Sequence, residues 1–201
     1  TAMDAAPVEG VSTAFEGLAE SADYGADEML DALQRGSSGM IAQRDLMLSF
    51  NKAASLVSTD FATQLPDAMQ YLGKVSASTG QDLDFLLDSL VTGVGRLSPM
   101  ILDNLGIQVA QAEATERAAE MFGVEAAELD KTQIQAGMMN VVLEKLAANT
   151  ASMPDVTDSA AAKMAQLKAT FQDTKDQIGT AFLPVLSSLM TTVAAVAQRV
   201  L

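Results

Sequence analysis

Cysteine and histidine are both absent from this sequence. Without cysteine the chain forms no disulfide and no thiolate metal site, and its compartment cannot be inferred from redox chemistry. Without histidine it cannot build a Ser-His-Asp triad, a Cys-His dyad or a zinc site with histidine ligands. We therefore expect no catalytic residues, no metal site and no cofactor.

Tryptophan is absent as well, and aromatic residues make up only 4% of the chain. The apolar residues nevertheless reach 49%, including 12 methionines, so the chain can bury a core. A core of Ala, Leu, Val and Met favours closely packed helices over a β-sandwich. At 201 residues the chain is long enough for one ordinary domain, or for a small domain and a long helix.

Basic residues are also scarce: 12 Lys and Arg stand against 26 Asp and Glu, which gives a net charge of −14. Such a chain lacks the cationic face that neutralises phosphate groups. We therefore expect no stable binding to nucleic acid.

Hydrophobic periodicity predicts an all-α fold, with a compact helical bundle in residues 11–148. Residues 1–10 are predicted to be frayed, and residues 149–157 form a linker that contains Pro154. The helices are predicted at residues 11–34, 40–57, 60–78, 82–96, 99–105, 110–121 and 132–148. Pro66 complicates the third of them, which could begin only there.

Residues 158–201 are predicted to form a long, interrupted, coiled-coil-like helix with an apolar seam spaced by threes and fours. Gly179 and Pro184 should bend or break it. The pattern is still apolar at Leu201, which suggests a piece of a longer polypeptide. The predicted self-association seam comprises Met164, Leu167, Phe171, Ile178, Phe182, Val185, Leu189, Val193 and Val196.

Residues 177–198 within this helix contain no charged residue, and their length would cross a hydrocarbon layer. Serine, threonine and proline residues dilute the stretch. A buried or self-associating helix is therefore favoured over a membrane span.

Residues 88–107 (DSLVTGVGRLSPMILDNLGI) are predicted to form a helical corner. Ser98 should be extended and cap a short helix that starts at Pro99, and Asn104 and Gly106 can adopt positive φ and end it. The spacing also predicts that Met100, Ile101, Leu102 and Leu105 are buried, and that Arg96 pairs with Asp103. The spacing of residues 88–107 alone is typical of a helix-turn-helix corner in a soluble protein.

Three carboxylates, Asp82, Asp84 and Asp88, cluster on the helix before the corner. Paired carboxylates can serve as acid and base in glycoside hydrolysis. No cleft is evident around them in the sequence, and solvated helix faces carry the same pattern, so we favour the solvated face.

Residues 96–107 (RLSPMILDNLGI) resemble the R-x-S-P-x-I-L-D-N-L-G-I signature of tail tape-measure proteins of long-tailed bacteriophages and prophages. Residues 36–56, 112–146 and 159–189 resemble segments that flank this signature in that family. The departures are mild: Leu97 stands where small residues are common, and Phe122 replaces a frequent tyrosine. The signature positions are Arg96, Ser98, Pro99, Asp103, Asn104 and Gly106.

The resemblance implies a structural protein of the virion and not an enzyme. Tape-measure proteins lie in the lumen of the tail tube, set its length during assembly in the host cytoplasm, and are expelled at infection. The implied partners are other copies of the chain, tail-tube and tail-tip proteins and tail assembly chaperones, with membrane contact through residues 177–198 during ejection. Two alternatives remain: a helical segment of a larger cell-wall-degrading tail protein, and a generic bacterial helical adaptor.

Overall fold

The structure, a computed structural model, describes residues 2–153 and 162–177, with side chains from residue 9 onward. These residues form helices and turns and contain no strand, which confirms the all-α prediction. The helices are α1 (Ala2–Ser21), α2 (Ala26–Gly36), α3 (Gln43–Leu56), α4 (Thr59–Ala62), α5 (Leu65–Thr79), α6 (Leu83–Gly95), α7 (Pro99–Leu102), α8 (Gln111–Phe122), α9 (Lys131–Thr150) and α10 (residues 162–177). Short 3-10 turns occupy Asp103–Leu105 and Ala126–Glu128.

The helix predicted at residues 11–34 is in fact two helices, α1 and α2. Asp23 adopts a positive φ of 62°, which ends α1, and the Tyr24 N–H donates to the carbonyl of Ala19. Gly25 then lies in an extended conformation at the start of α2. Aspartate tolerates the left-handed region better than most residues, so the Asp23–Gly25 segment can turn the chain here.

Residues 60–78 likewise divide into α4 and α5. Ser58 caps α4, because its hydroxyl accepts a hydrogen bond from the Phe61 N–H at 3.1 Å. Pro66 lies in the first turn of α5, where the missing N–H costs nothing. The expectation that this helix could begin only near Pro66 is therefore confirmed.

The core lies between α1, α2, α3, α5, α6 and α9 and is built largely from aliphatic side chains. Phe15 and Phe50 form an edge-to-face aromatic pair inside it, with ring centroids 5.1 Å apart. Glycine permits the closest helix contact: a Cβ on Gly137 would lie 2.3 Å from the carbonyl oxygen of Ala114. Gly137 thus allows α8 and α9 to pack closely. α9 in turn contacts the corner described below.

The other helices begin and end within three residues of their predicted bounds. The predictions for the two ends of the bundle differ from the structure or fall outside the described residues. α1 begins at Ala2, so residues predicted to be frayed are helical, and α9 continues to Thr150 through the start of the predicted linker. The rest of the linker beyond residue 153 lies outside the described residues. The longest helices of the described ranges, α1 and α9, have 20 residues each, so these ranges do not show a long coiled-coil helix. Within those ranges no helix has the length and apolarity to cross a bilayer, and residues 178–198 lie outside them.

Candidate functional site

The corner between α6 and α7 begins with a tightly hydrogen-bonded helix end. The Ser98 N–H donates to the Gly93 carbonyl at 2.8 Å, and the Leu97 N–H donates to the Val94 carbonyl at 3.0 Å. Leu97 adopts a positive φ of 50° to close this motif. A left-handed conformation is costly for any residue that carries a Cβ atom, and glycine alone avoids this cost.

The backbone predictions for the corner are confirmed at three positions. Ser98 is extended, with φ −108° and ψ 100°, and Pro99 starts α7. Gly106 adopts a φ of 72° and ends the 3-10 turn that follows α7. Asn104 does not adopt positive φ; it lies within that turn, and its Nδ2 donates to the Ser89 hydroxyl at 3.2 Å. The Ser98 side chain forms no capping hydrogen bond.

Two predictions about the corner's side chains are wrong. Arg96 and Asp103 are both exposed, and the interactions of the described side chains include no ion pair between them. Met100 is 81% exposed and Ile101 is half-buried, whereas Leu102 and Leu105 are buried as predicted. The corner therefore packs through one side and leaves the other in water, where charged side chains need no partner.

A residue that the sequence analysis missed, Gln135 of α9, connects the corner to the bundle. Its side chain is 2% exposed, and its Nε2 donates to the carbonyl of Gly95 at 2.8 Å. Asn149, near the other end of α9, donates to the carbonyl of Gly106 at 3.2 Å. α9 thus satisfies a backbone carbonyl at each end of the corner. The sequence signal was a glutamine within a largely apolar face of α9.

The predicted seam lies on the outer face of α10. Met164, Leu167 and Phe171 are 68%, 67% and 75% exposed, and their spacing places them on one face of the helix. Ala162 and Ala169 are buried on the opposite face. The other predicted seam residues, Ile178, Phe182, Val185, Leu189, Val193 and Val196, lie outside the described residues.

Polar contacts hold α10 on the bundle at the junction of α2 and α3. The Gln166 Nε2 donates to the Ser38 carbonyl at 2.8 Å, and the backbone N–H of Gln43 donates to the Asp173 carboxylate, also at 2.8 Å. The Gln172 Nε2 donates to the carboxylate of Asp45 at 3.1 Å. Partial burial raises the pKa of Asp173, and the bond from Gln43 opposes this.

A groove of about 630 Å³ lies between α3, α6 and α10, in the size range of ligand sites. Three exposed apolar side chains line it, Leu48, Phe85 and Met164. Its charged lining residues are Asp45, Asp82, Asp84, Asp88, Lys52 and Lys168, so carboxylates outnumber ammonium groups. The acidic cluster noted in the sequence therefore does border a cleft.

The charges in the groove are unevenly balanced. The Nζ of Lys52 lies 2.5 Å from the Asp88 carboxylate and 2.8 Å from the Thr92 hydroxyl, so Asp88 is paired. Removal from water raises the pKa of Asp84, and the Asp45 and Asp88 carboxylates add to the rise, while Lys168 opposes it. Asp84 is thus a carboxylate whose surroundings disfavour its charge. Over the described residues there is no group of acidic side chains that could hold a metal ion.

Comparisons of the chain with protein-family models, with curated proteins and with solved structures find no match. The resemblance of residues 96–107 to tape-measure proteins stays a prediction.

Proposed function

We propose that this chain is a helical part of a tail tape-measure protein, a structural component of the virion that sets tail-tube length and leaves the tube at infection. The observation that carries the proposal is the corner at residues 96–107. Its motif residues occupy conformationally demanding positions: Pro99 starts a helix and Gly106 has positive φ. A match at such positions is harder to obtain by chance than a match at exposed helix positions.

Helical structure and charge both suit this role. An α-helix rises 1.5 Å per residue, so the length of a helical chain can serve as a ruler. A net charge of −14 disfavours adhesion to DNA that shares the same tube. The bundle would be a local module of the ruler, or a region near one end that contacts tail-tip proteins or assembly chaperones.

We further propose that copies of the chain associate through the exposed seam on α10. Met164, Leu167 and Phe171 form an apolar stripe that only another chain or segment can cover. Analytical ultracentrifugation of the full chain tests this. The Leu167→Ser/Phe171→Ser variant should be monomeric at concentrations where the parent chain and the exposed-site control Met100→Ser associate. A parent chain that stays monomeric at high micromolar concentration contradicts the proposal.

The tail function itself is tested by the genes beside this one and by a deletion in the intact gene. Tail-tube and tail-tip genes should flank it. Deletion of residues 11–148 should shorten the tails seen by electron microscopy by roughly 200 Å, if the deleted part is helical along the tube axis. Tails of unchanged number and length would contradict the proposal.

The groove favours one alternative, a cell-wall-degrading protein, because Asp84 has a raised pKa beside other carboxylates. Under the structural proposal, Asp84→Asn and Asp88→Asn leave any peptidoglycan cleavage by the full-length protein unchanged. Pro99→Ala and Asn104→Ala should lower stability or assembly yield without affecting cleavage. Loss of cleavage in the Asp84 or Asp88 variant would instead establish an enzyme.

A further inference from the structure

The groove between α3, α6 and α10 presents apolar and acidic groups together on one open surface. Leu48, Phe85 and Met164 come from three different helices, and each is exposed. Exposed aromatic and methionine side chains that converge on one groove are typical of sites that bind another apolar surface.

The charges of the groove select the kind of occupant. Lys52 is engaged by Asp88 and Thr92, and the Asp45 carboxylate accepts a hydrogen bond from Gln172. Asp82 and Asp84 remain beside Phe85 at the start of α6. The Asp84 carboxylate is partly removed from water and is repelled by Asp45 and Asp88, and the ammonium group that opposes these effects is that of Lys168. A cation placed there would relieve this repulsion.

These two properties together disfavour other classes of occupant. Nucleic acid and an anionic lipid surface carry negative charge, which the acidic rim repels. An uncharged apolar helix would leave the carboxylates near Asp84 desolvated without compensation. A second copy of this chain, with a net charge of −14, would bring negative charge to the acidic rim, whereas Leu167 and Phe171 of the proposed self-association seam lie outside the groove.

We propose that this groove binds a short cationic amphipathic helix of a protein partner. Apolar side chains at successive turns of that helix contact Leu48, Phe85 and Met164, and a lysine or arginine on its flank pairs with Asp84 and Asp82. In this binding mode a helix lies in a groove and contacts it through side chains at i, i+3, i+4 and i+7. The inference does not depend on the tail function.

The test measures binding of a synthetic probe to the full chain by fluorescence anisotropy. The probe is a fluorescein-labelled 14-residue helix with leucines on one face and lysines on the other. One control peptide has the same composition in scrambled order, and a second has glutamine in place of lysine. Only the ordered lysine peptide should bind tightly, and binding should weaken as salt is raised.

Protein variants locate the site. Leu48→Ser/Phe85→Ser changes two exposed residues and should weaken binding at least tenfold, and Asp82→Asn/Asp84→Asn should weaken it about three- to tenfold. The matched controls Met100→Ser and Asp103→Asn lie at the corner, outside the groove, and should change the Kd less than twofold. Equal losses in the groove and control variants would overturn the proposal.

Methyl NMR of the unmodified chain provides a readout that needs no variant. With 13C-labelled methionine, the methyl signals of Met40 and Met164, which line the groove, should shift on addition of the probe. Those of Met100 and Met121 should not. Shifts spread over all four methyls, or no binding, would overturn the proposal. So would a dimer that is lost in Leu48→Ser/Phe85→Ser but kept in Leu167→Ser/Phe171→Ser, because it would assign the groove to a second copy of the chain.

Discussion

The corner and α10 use opposite kinds of contact to join the same bundle. At the corner, Leu102 and Leu105 are buried, and the polar group that crosses into the core, Gln135, has its hydrogen bond. On α10, polar side chains such as Gln166 and Asp173 face the bundle and the buried apolar residues are two alanines, while Leu167 and its apolar neighbours face water.

This difference distinguishes the corner, which contributes to the stability of the bundle, from α10, which is attached to the surface of the bundle. Apolar burial is the dominant favourable term in folding. Each hydrogen bond contributes only a small net free energy, because water competes for both partners. The corner should therefore unfold only with the whole bundle, and α10 should detach at much lower free energy.

The largest expected difference between the corner and α10 is in the free energy of unfolding of two leucine variants. Leu102→Ala should lower the free energy of unfolding by about 2–5 kcal/mol, because Leu102 is fully buried against Gly93. Leu167→Ala, in a helix of the same bundle, should change it by less than about 0.5 kcal/mol. Urea denaturation followed by circular dichroism measures both values. Similar losses in the two variants would show that α10 is as integral as the corner.

The next effect concerns the buried hydrogen bond at the corner. Gln135→Ala should destabilise the chain by about 1–3 kcal/mol, because it leaves the Gly95 carbonyl buried without a donor. The exposed Gln111→Ala in the first turn of α8 is the control and should have little effect. If the two variants unfold at the same urea concentration, the α9 contact does not support the corner.

Two helix-capping hydrogen bonds of equal length provide a finer comparison. Asp130 accepts from the Gln133 N–H within α9, and Asp173 accepts from the Gln43 N–H across the chain, both at 2.8 Å. Asp130→Ala should cost about 1 kcal/mol. Asp173→Ala should cost less than about 0.5 kcal/mol, because burial disfavours its charge and offsets the bond. A larger loss for Asp173, again from urea denaturation, would reverse the comparison.

The smallest predicted effect is the response to pH. The folded pKa of Asp173 is raised above its ordinary 3.8, so the attached form of α10 gains stability as pH falls through that raised pKa, and gains no more below about 3.8. Asp45 and Asp176, whose charges also raise this pKa, are its acidic neighbours.

In contrast, the hydrogen bond to Lys145 lowers the pKa of Glu113, so the contact between α8 and α9 keeps its stability until the pH falls below about 4.5. Hydrogen exchange by NMR, followed as the pH is lowered from neutral towards 3.8, should therefore show slower opening at the Gln43 amide, after correction for the intrinsic rate. Protection in α8 and α9 should stay unchanged down to a pH of about 4.5. Faster opening at Gln43 would contradict the assignment.

The sequence predicted the local features of the corner but not its long-range contacts. Proline and glycine have few allowed conformations or unusual ones, so Pro99 and Gly106 could be placed from the sequence alone. The bond from Gln135 to Gly95 spans 40 residues of chain, and no local pattern encodes it.

Periodicity was informative about α10 in one respect only. It identified that Met164, Leu167 and Phe171 share a face, but not whether that face packs on the bundle. The opposite face, which carries the buried Ala162 and Ala169 and the hydrogen-bonding Gln166 and Asp173, packs instead. The groove could not be predicted for a similar reason, because its walls come from α3, α6 and α10, far apart in the chain.

The N-terminus of α3 receives its cap only late in the synthesis of the chain. Ala42, which precedes α3, offers no side-chain cap, and the acceptor for the Gln43 N–H is Asp173, 130 residues later. Because a ribosome releases the N-terminal part first, α3 is synthesised well before its cap. The bundle can therefore fold with that helix end open to water, and α10 closes it as the last described segment to leave the ribosome.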